Sequence, residues 1–281
     1  MAIGDSTRIN TNIAAFNALL SLKNVNRGLE KSQLKLATGL RINEVADDPA
    51  GYVITTRLDA RSRGLTVALD NVGTAKNVLS IAEGGLLNIS DILVTMKEKV
   101  TAAASDTMSS AERNTIKTEI DELTAEINNI VDETTFNQIS LIDGTYTGKS
   151  YQTGEDTVNT LVFSISQDHK SAGLVVDADN VSTLIFTAAG ASTALANVDA
   201  AIETVSDSMQ KIGSVVNRLT VKESTLRVAI TNTEATKSRI LDADIAKEQL
   251  ESTKLQIIQQ TATAQLAQAN ITPQNVLALF T

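Results

Sequence analysis

The chain has 281 residues, a net charge of −9, no Cys, no Trp and a single His. The missing cysteines exclude disulfides, zinc thiolates and a thiol nucleophile, and the acidic balance argues against nucleic acid, which requires clustered cations. With five Phe and three Tyr, the core must be built from aliphatic residues, a composition typical of long helices packed side by side.

The N-terminal residues predict neither a cleaved leader nor a membrane anchor. The opening MAIGDSTRIN lacks the basic region and apolar run of a Sec-type signal peptide, and no window of about 18 apolar residues is expected in the chain. These features favour a cytoplasmic protein, or one exported without a cleaved signal, and no membrane insertion. Residues 9–22 then carry no charge. Their apolar positions include Ile9, Ile13, Phe16 and Leu20.

Residues 36–52 predict an irregular but structured connector. Gly39 can take a positive φ, Asp48 can cap a helix, and Pro49 suits its first turn. Polar side chains in this segment are expected to fix its fold or to meet a neighbouring subunit; a connector turn without a role between subunits is the alternative. The connector residues of interest are Gly39, Arg41, Asn43, Asp48 and Pro49.

Three runs of apolar residues at alternating three- and four-residue steps predict helices that supercoil against one another. They occupy residues 58–100, 116–130 and 198–230. The first run alone is too long for an ordinary compact domain, so the sequence predicts a helical rod. The expected rod core includes Leu86, Leu93, Ile120, Ile127, Val205, Ile212 and Leu219.

The helical period fades in the middle of the chain, where turn glycines appear. Short alternating runs at residues 160–165, 173–176 and 183–186 predict strands. This region is therefore expected to form a small β-rich insert with hairpin-like turns.

The last segment, residues 255–281, contains no Asp, Glu, Lys or Arg. Thr272 and Pro273 predict a break in its helix, followed by a short last turn that packs separately. Paired with residues 9–22, this segment would still leave apolar faces exposed, which marks an assembly surface. Disordered tails in the free chain are the alternative, and the two are compatible if the tails become helical on assembly. The apolar positions are Leu255, Ile258, Leu266, Val276, Leu277 and Phe280.

No set of residues predicts catalysis, a cofactor or a metal site. Asp177 with Asp179, and Asp242 with Asp244, lack the Gly and trailing Glu of a calcium loop. His169 is the lone histidine, so neither an HExxH zinc site nor a Ser-His-Asp triad is predicted. We expect no enzyme, no metal and no cofactor.

Several ordered motifs lie near the two ends of the chain. They read LATGLRINEVADDPAGYVITTRL from residue 36, TTFNQISLIDG from residue 134, SRILDADIAKE from residue 238 and TATAQLAQANITPQNVLALF from residue 261. Together they make the chain resemble the bacterial flagellins.

The resemblance implies a mainly α fold, with long antiparallel helices in a coiled-coil rod formed by both chain ends and a small β-rich insert in the middle. Residues 1–45 and 241–281 would be the two halves of an inner coiled-coil domain, whose apolar residues pack in the inner tube of a filament. Residues 46–142 and 193–240 would be the halves of the rod domain, and residues 143–192 the small outer element.

The family also implies partners and a location. The chain would be a homo-oligomer of many copies in a helical filament, secreted by flagellar type III export, with an export chaperone and cap and junction proteins as partners. Some flagellins are sensed by an animal Toll-like receptor through the rod. This chain keeps Glu119 but departs from recognised members at Thr95, Lys99 and Leu123, which implies weak or no recognition.

The expected function is therefore that of a structural subunit of the flagellar filament used for swimming. A hook–filament junction protein shares the terminal motifs, and a non-flagellar secreted coiled-coil protein would share the heptads. The ending PQNVLALF and the short middle favour the filament subunit.

Overall fold

The computed structural model describes the backbone of residues 11–278 and the side chains of residues 11–271. The described helices are α1 (Ile13–Thr38), α2 (Pro49–Ala103), α3 (Ser110–Glu133), α4 (Ala188–Leu241) and α5 (Ile245–Ala278). The strands are β1 (Thr135–Phe136), β2 (Ile139–Ser140), β3 (Tyr146–Gln152) and β4 (Thr160–Ile165). The chain divides into two units, one formed by residues up to 60 with those from 232 onward, and one formed by residues 61–231. The mainly α fold with a small strand-containing middle is confirmed.

The unit of residues 61–231 has a continuous apolar core along α2, α3 and α4. The seam positions of the three heptad runs meet there, because residues three and four apart share one face of a helix. The seven positions expected in the rod core are all at most 1% exposed: Leu86, Leu93, Ile120, Ile127, Val205, Ile212 and Leu219.

Helix α2 corrects one expectation about membranes. An 18-residue window in it has a mean hydropathy of 1.4, so it is long and apolar enough to span a membrane by composition alone. The expectation that no such window exists is wrong. The buried seam on this helix accounts for its apolar character, since positions such as Val72, Leu79 and Met96 pack inside the unit.

The middle of the chain contains fewer strands than the sequence predicts. Residues 160–165 form β4, which pairs antiparallel with β3. The other two alternating runs are not strands. Val175 in the first has a positive φ of 59° within a turn, and the second contains a 3-10 helix at Leu184–Phe186. Both runs bury apolar side chains in the same core without joining a sheet.

Helix α5 continues to Ala278, so the predicted break at Thr272 and Pro273 is wrong. Proline removes one backbone donor from a helix. In a helix as long as α5, the loss of a single hydrogen bond does not end the element.

His169 ties the insert to α4. Its side chain is fully buried, with Nδ1 3.0 Å from the carbonyl oxygen of Ile142 and Nε2 2.9 Å from Oγ of Ser208. Burial lowers the pKa of His169 below its usual 6.5, and the nearby Lys211 acts in the same direction while Asp168 opposes it. The imidazole is therefore held neutral in the folded chain.

This arrangement predicts acid sensitivity. At pH above 6.5, His169 is neutral in both the folded and the unfolded chain. Below that pH, His169 binds a proton more readily in the unfolded chain than in the folded chain, so the free energy of unfolding falls as the pH is lowered. The contribution of this group is at most about 1.4 kcal/mol per pH unit. Urea unfolding at pH 7.5 and pH 5.5 measures the effect. His169→Gln should be less stable at pH 7.5 but should lose less on acidification; parallel losses in both chains would contradict the prediction.

Candidate assembly surface

Helices α1 and α5 lie antiparallel to each other within their unit. Near the start of α1, Nδ2 of Asn12 donates to the carbonyl oxygen of Ala269 at 2.7 Å. Further along, Nε2 of Gln259 donates to Oδ1 of Asn26 at 2.8 Å. From Asn12 to Asn26 along α1, the contacted residue on α5 goes from Ala269 back to Gln259, so the two helices run in opposite directions. Asn12 is also the N-cap of α1, since its Oδ1 accepts from the backbone N–H of Ala15.

Charged and polar contacts continue this pairing toward the connector. The hydroxyl of Ser32 donates to the carbonyl oxygen of Glu248 at 3.3 Å. The ammonium of Lys35 lies 3.5 Å from the carboxylate of the same Glu248. These contacts fix the register of the helix pair at its connector end.

Few side chains are buried between α1 and α5. Two helices side by side can cover only one stripe of each other, and the rest of both surfaces faces solvent. The buried side chains among the described residues of α1 and α5 are Leu29, Ser32, Ser252 and Ala262.

Many large apolar side chains on the same two helices are exposed, with Phe16 at 61% and Leu250 at 73%. Exposed single apolar residues are ordinary on proteins, whereas a dense set on one element marks a contact site. We call this set the assembly surface. It comprises Ile13, Phe16, Leu19, Leu20, Leu34, Ile245, Leu250, Ile257, Ile258 and Ile271.

The terminal residues that the sequence singles out occupy different positions. Ile13, Phe16, Leu20 and Ile258 belong to the assembly surface. Two are partly buried between the helices, and the rest lie outside the described residues or side chains. The partly buried ones are Leu255 and Leu266. Those outside the description are Ile9, Val276, Leu277 and Phe280.

The two chain segments that join the helices are bonded to each other. The Arg41 guanidinium donates twice to the carbonyl oxygen of Ile240, from Nε at 3.0 Å and from Nη2 at 2.6 Å. The backbone N–H of Ala243 donates to the carbonyl oxygen of Gly39 at 2.9 Å. Gly39 has a φ of 71° and ends α1, a conformation in which glycine is favoured. The connector is thus a structured joint between two passes of the chain.

Asp47 organises the inside of this joint. Its carboxylate lies 2.6 Å from the ammonium of Lys31 and accepts the backbone N–H groups of Asn43 and Glu44. The hydrogen bond from Lys31, together with these backbone donors, holds the pKa of Asp47 at about 2. The carboxylate is therefore ionised at neutral pH, and its hydrogen bonds stabilise the turn at residues 43–47.

The remaining connector residues have local roles. Oδ1 of Asp48 accepts from the N–H of Gly51 at 2.9 Å, which caps α2, and Pro49 is the first residue of that helix. The Asn43 side chain donates to the carbonyl oxygen of Leu40 at 3.0 Å.

The sequence did not predict the structural roles of Asn12, Asp47 and Lys31. Asn12 had a usable signal, because Asn directly before an apolar helical run is a good N-cap. The other two had none, because the ion pair joins α1 to a turn whose geometry the sequence does not reveal.

Asp242 and Asp244, which were considered for metal binding, accept hydrogen bonds from nearby groups of the chain. Oδ1 of Asp244 accepts the N–H groups of Ala246 and Lys247 at the start of α5. Oδ2 of Asp242 accepts from the hydroxyl of Ser238. Among the residues described, no cluster of three or more His, Asp or Glu side chains is arranged to hold a metal ion.

Comparison with known proteins gives consistent matches along the chain. Residues 9–147 match the bacterial flagellin N-terminal helical region, and residues 195–280 match the bacterial flagellin C-terminal helical region. The flagellin of Bacillus subtilis is 36% identical over 302 aligned positions that cover 97% of this chain and 99% of the relative. The flagellar filament 33 kDa core protein of Treponema phagedenis is 32% identical with the same coverage.

A solved structure assigned as a flagellar hook-associated protein from Vibrio parahaemolyticus shares the fold. It aligns with a TM-score of 0.61 at 16% identity and covers 70% of this chain and 100% of its own. At that identity the likeness concerns the architecture alone.

Both family regions are present in order, and relatives named as flagellins align from end to end. Flagellins are structural proteins and not enzymes. The chain belongs to the bacterial flagellin family and is a structural subunit of the flagellar filament.

Proposed function

We propose that copies of this chain polymerise by burying the assembly surface of their α1–α5 pairs against one another. The observation that carries this proposal is the imbalance within the pair, in which long helices bury few side chains and expose many large apolar ones. The undescribed Ile9, Val276, Leu277 and Phe280 extend the same apolar character to both ends of the chain.

The size of the effect is sufficient for assembly. Full burial of one Leu, Ile or Phe side chain contributes about 1.5–3 kcal/mol. Association costs about 4–15 kcal/mol in lost freedom and side-chain ordering. Several members of the assembly surface buried together offset that cost, and the absence of charge after Lys254 avoids burying an unpaired ion.

We infer domain roles from the same observations. Residues 1–45 and 241–281 act as the inner coiled coil, residues 46–142 and 193–240 as the rod, and residues 143–192 as the outer element. The bonded joint around Arg41 and Asp47 supports a connector that sets the direction of the inner helices. In the filament the chain is extracellular, and it arrives there by flagellar export with the help of a chaperone. Cap and junction proteins lie at the two ends of the filament.

A pair of matched substitutions tests the assembly surface. Phe16→Glu places a charge on this surface, whereas Val162→Glu places one on an equally exposed site of β4, where Val162 is 60% exposed. We expect Phe16→Glu to raise the critical concentration for seeded polymerisation at least about tenfold, which corresponds to about 1.4 kcal/mol. Val162→Glu should leave it within about twofold, because surface substitutions away from packed features cost little.

Sedimentation of seeded reactions over a range of protein concentrations gives the critical concentration. Circular dichroism of the monomers checks that both variants fold. Equal critical concentrations for Phe16→Glu and the parent chain would contradict the proposal.

The rod surface leads to a separate expectation about immune sensing. Glu119 matches the family members that the receptor recognises, and Lys99 departs from them. The Glu119 carboxylate lies 2.5 Å from the Lys99 ammonium, so it is already in an ion pair within the chain. Thr95 and Leu123 are further departures. Purified monomer should give little or no signal in a Toll-like receptor reporter-cell assay, and strong signalling would refute this.

A further inference from the structure

The unit of residues 61–231 contains two pairs of like charges, and the two members of each pair lie one helical turn apart on the same helix. On α4 they are Arg218 and Lys222, and on α3 they are Glu122 and Glu126. Residues four apart on a helix are neighbours, so like charges at this spacing repel each other and destabilise the helix. Each pair therefore carries a local cost that an opposite charge would remove.

Neither pair has that opposite charge within the described side chains. No ion pair within 4.0 Å involves any of the four residues in this part of the chain. Several nearby charges are already matched: Lys117 with Asp121 on α3, Glu223 with Lys76 and Arg227 beside the cationic pair, and Glu155 of the loop between β3 and β4 with Arg61. Asp156 of the same loop accepts from the Asn159 amide at 3.5 Å and forms no ion pair within 4.0 Å among the described side chains. Among the side chains that the structure describes, Glu126 has one long contact, of 3.5 Å, from the Asn129 amide.

The cationic pair lies in a groove that suits carboxylates. Arg218 and Lys222 line a groove of 240 Å³ between α4 and the loop that joins β3 to β4. Thr153, Asn159 and Thr160 also line it. Hydroxyl, amide, ammonium and guanidinium groups all donate hydrogen bonds to carboxylate oxygens. Glu122 and Glu126, in contrast, lie exposed on the outer surface of α3.

The two pairs cannot neutralise each other within one chain. The ion pair of Lys76 with Glu223 places the cationic pair near Lys76 of α2, and the ion pair of Lys99 with Glu119 places the acidic pair near Lys99. At 1.5 Å per residue, Lys76 and Lys99 are about 35 Å apart along α2. A second copy shifted along the rod can bring the opposite charges together.

We propose that the groove at Arg218 and Lys222 of one copy receives Glu122 and Glu126 of a second copy. This inference rests on the proposed function, because it supplies a contact between rods in the polymer. The contact joins different surfaces of the two copies, so two joined copies leave one of each surface unfilled, and in a helical filament the same contact repeats from copy to copy. Exposed charges at an interface act mainly on the rate of association and on its salt dependence.

Charge reversal tests the contact. R218E/K222E and E122K/E126K should each slow seeded elongation about tenfold or more at 50 mM NaCl, and the deficit should shrink at 500 mM NaCl as screening increases. The two double variants change the net charge in opposite directions, so a general charge effect would slow only one of them. The quadruple variant, which carries all four changes, should elongate on its own seeds at nearly the parent rate but poorly on parent seeds.

Light scattering gives the elongation rates, and thermal unfolding of each monomer checks the fold. If the parent chain elongates and R218E/K222E elongates equally fast at low salt, the inference is overturned while the proposed function stands. If both doubles are slow but the quadruple variant does not recover on its own seeds, the specific pairing is likewise overturned. Failure of the parent chain to elongate on its seeds would instead overturn the proposed function.

Discussion

A chain truncated after Leu266 should remain monomeric at concentrations where the full chain forms filaments. The deletion removes residues 267–281, which include the end of α5 opposite the start of α1. It removes the Ala269 carbonyl that accepts from Asn12, and the exposed Ile271 of the assembly surface. The first turns of α1, with Ile13 and Phe16, then lose their helical partner, and isolated short helices are marginal in water.

The truncation should leave the rod unit intact, which makes the result interpretable. The apolar core of residues 61–231 contains no residue from the deleted segment. Thermal unfolding of the monomer should therefore retain its main transition, while sedimentation after heating, cooling and seeding should give no pellet. Filaments of normal yield and appearance by negative-stain microscopy would show that assembly does not depend on this end of the chain.

The rod was predictable because its core repeats with the period of a helix. Residues such as Leu79, Leu86 and Leu93 recur every seven positions, and a helix brings them to one face whatever the loops do. The apolar chain ends were predictable for a similar reason, since the absence of charge over long segments is visible in the sequence alone.

The insert was less predictable because alternation does not specify a sheet. Val176 is fully buried, and its carbonyl oxygen accepts from the hydroxyl of Thr124 on α3. This contact with a helix satisfies both its side chain and its backbone. A short apolar run can thus be buried by a helix or by a neighbouring strand, and local pattern does not choose between them.

Close approaches were also invisible in the sequence. Gly84 and Gly85 look equivalent as letters, yet a Cβ at Gly84 would meet open space. A Cβ at Gly85 would lie 2.6 Å from Oγ1 of Thr134, whose hydroxyl is already bonded to the carbonyl oxygen of Ile130. The need for glycine at one of the two positions arises from packing of α3 against α2. The ion pair of Lys31 with Asp47 depends on tertiary geometry in the same way.

Two adjacent leucines on α2 should respond very differently to the same substitution. Leu86 is fully buried in the core, and Leu87 is 50% exposed. Leu86→Ala should lower the free energy of unfolding by about 2–5 kcal/mol, because it removes buried methyl groups and leaves a cavity that neighbours fill only in part. Leu87→Ala should change it by less than about 1 kcal/mol, because half of that side chain already meets solvent.

Urea unfolding of the two monomeric variants, followed by circular dichroism at 222 nm, measures this difference. Both substitutions replace Leu by Ala in the interior of one helix, so the change in helix propensity is the same and cancels in the comparison. What remains is burial against α3 and α4. Similar losses at the two positions would mean that the face of α2 carrying Leu86 is not packed in the rod core. A large loss at Leu86 alone would show that the heptad seam, and not helix propensity, holds the rod together.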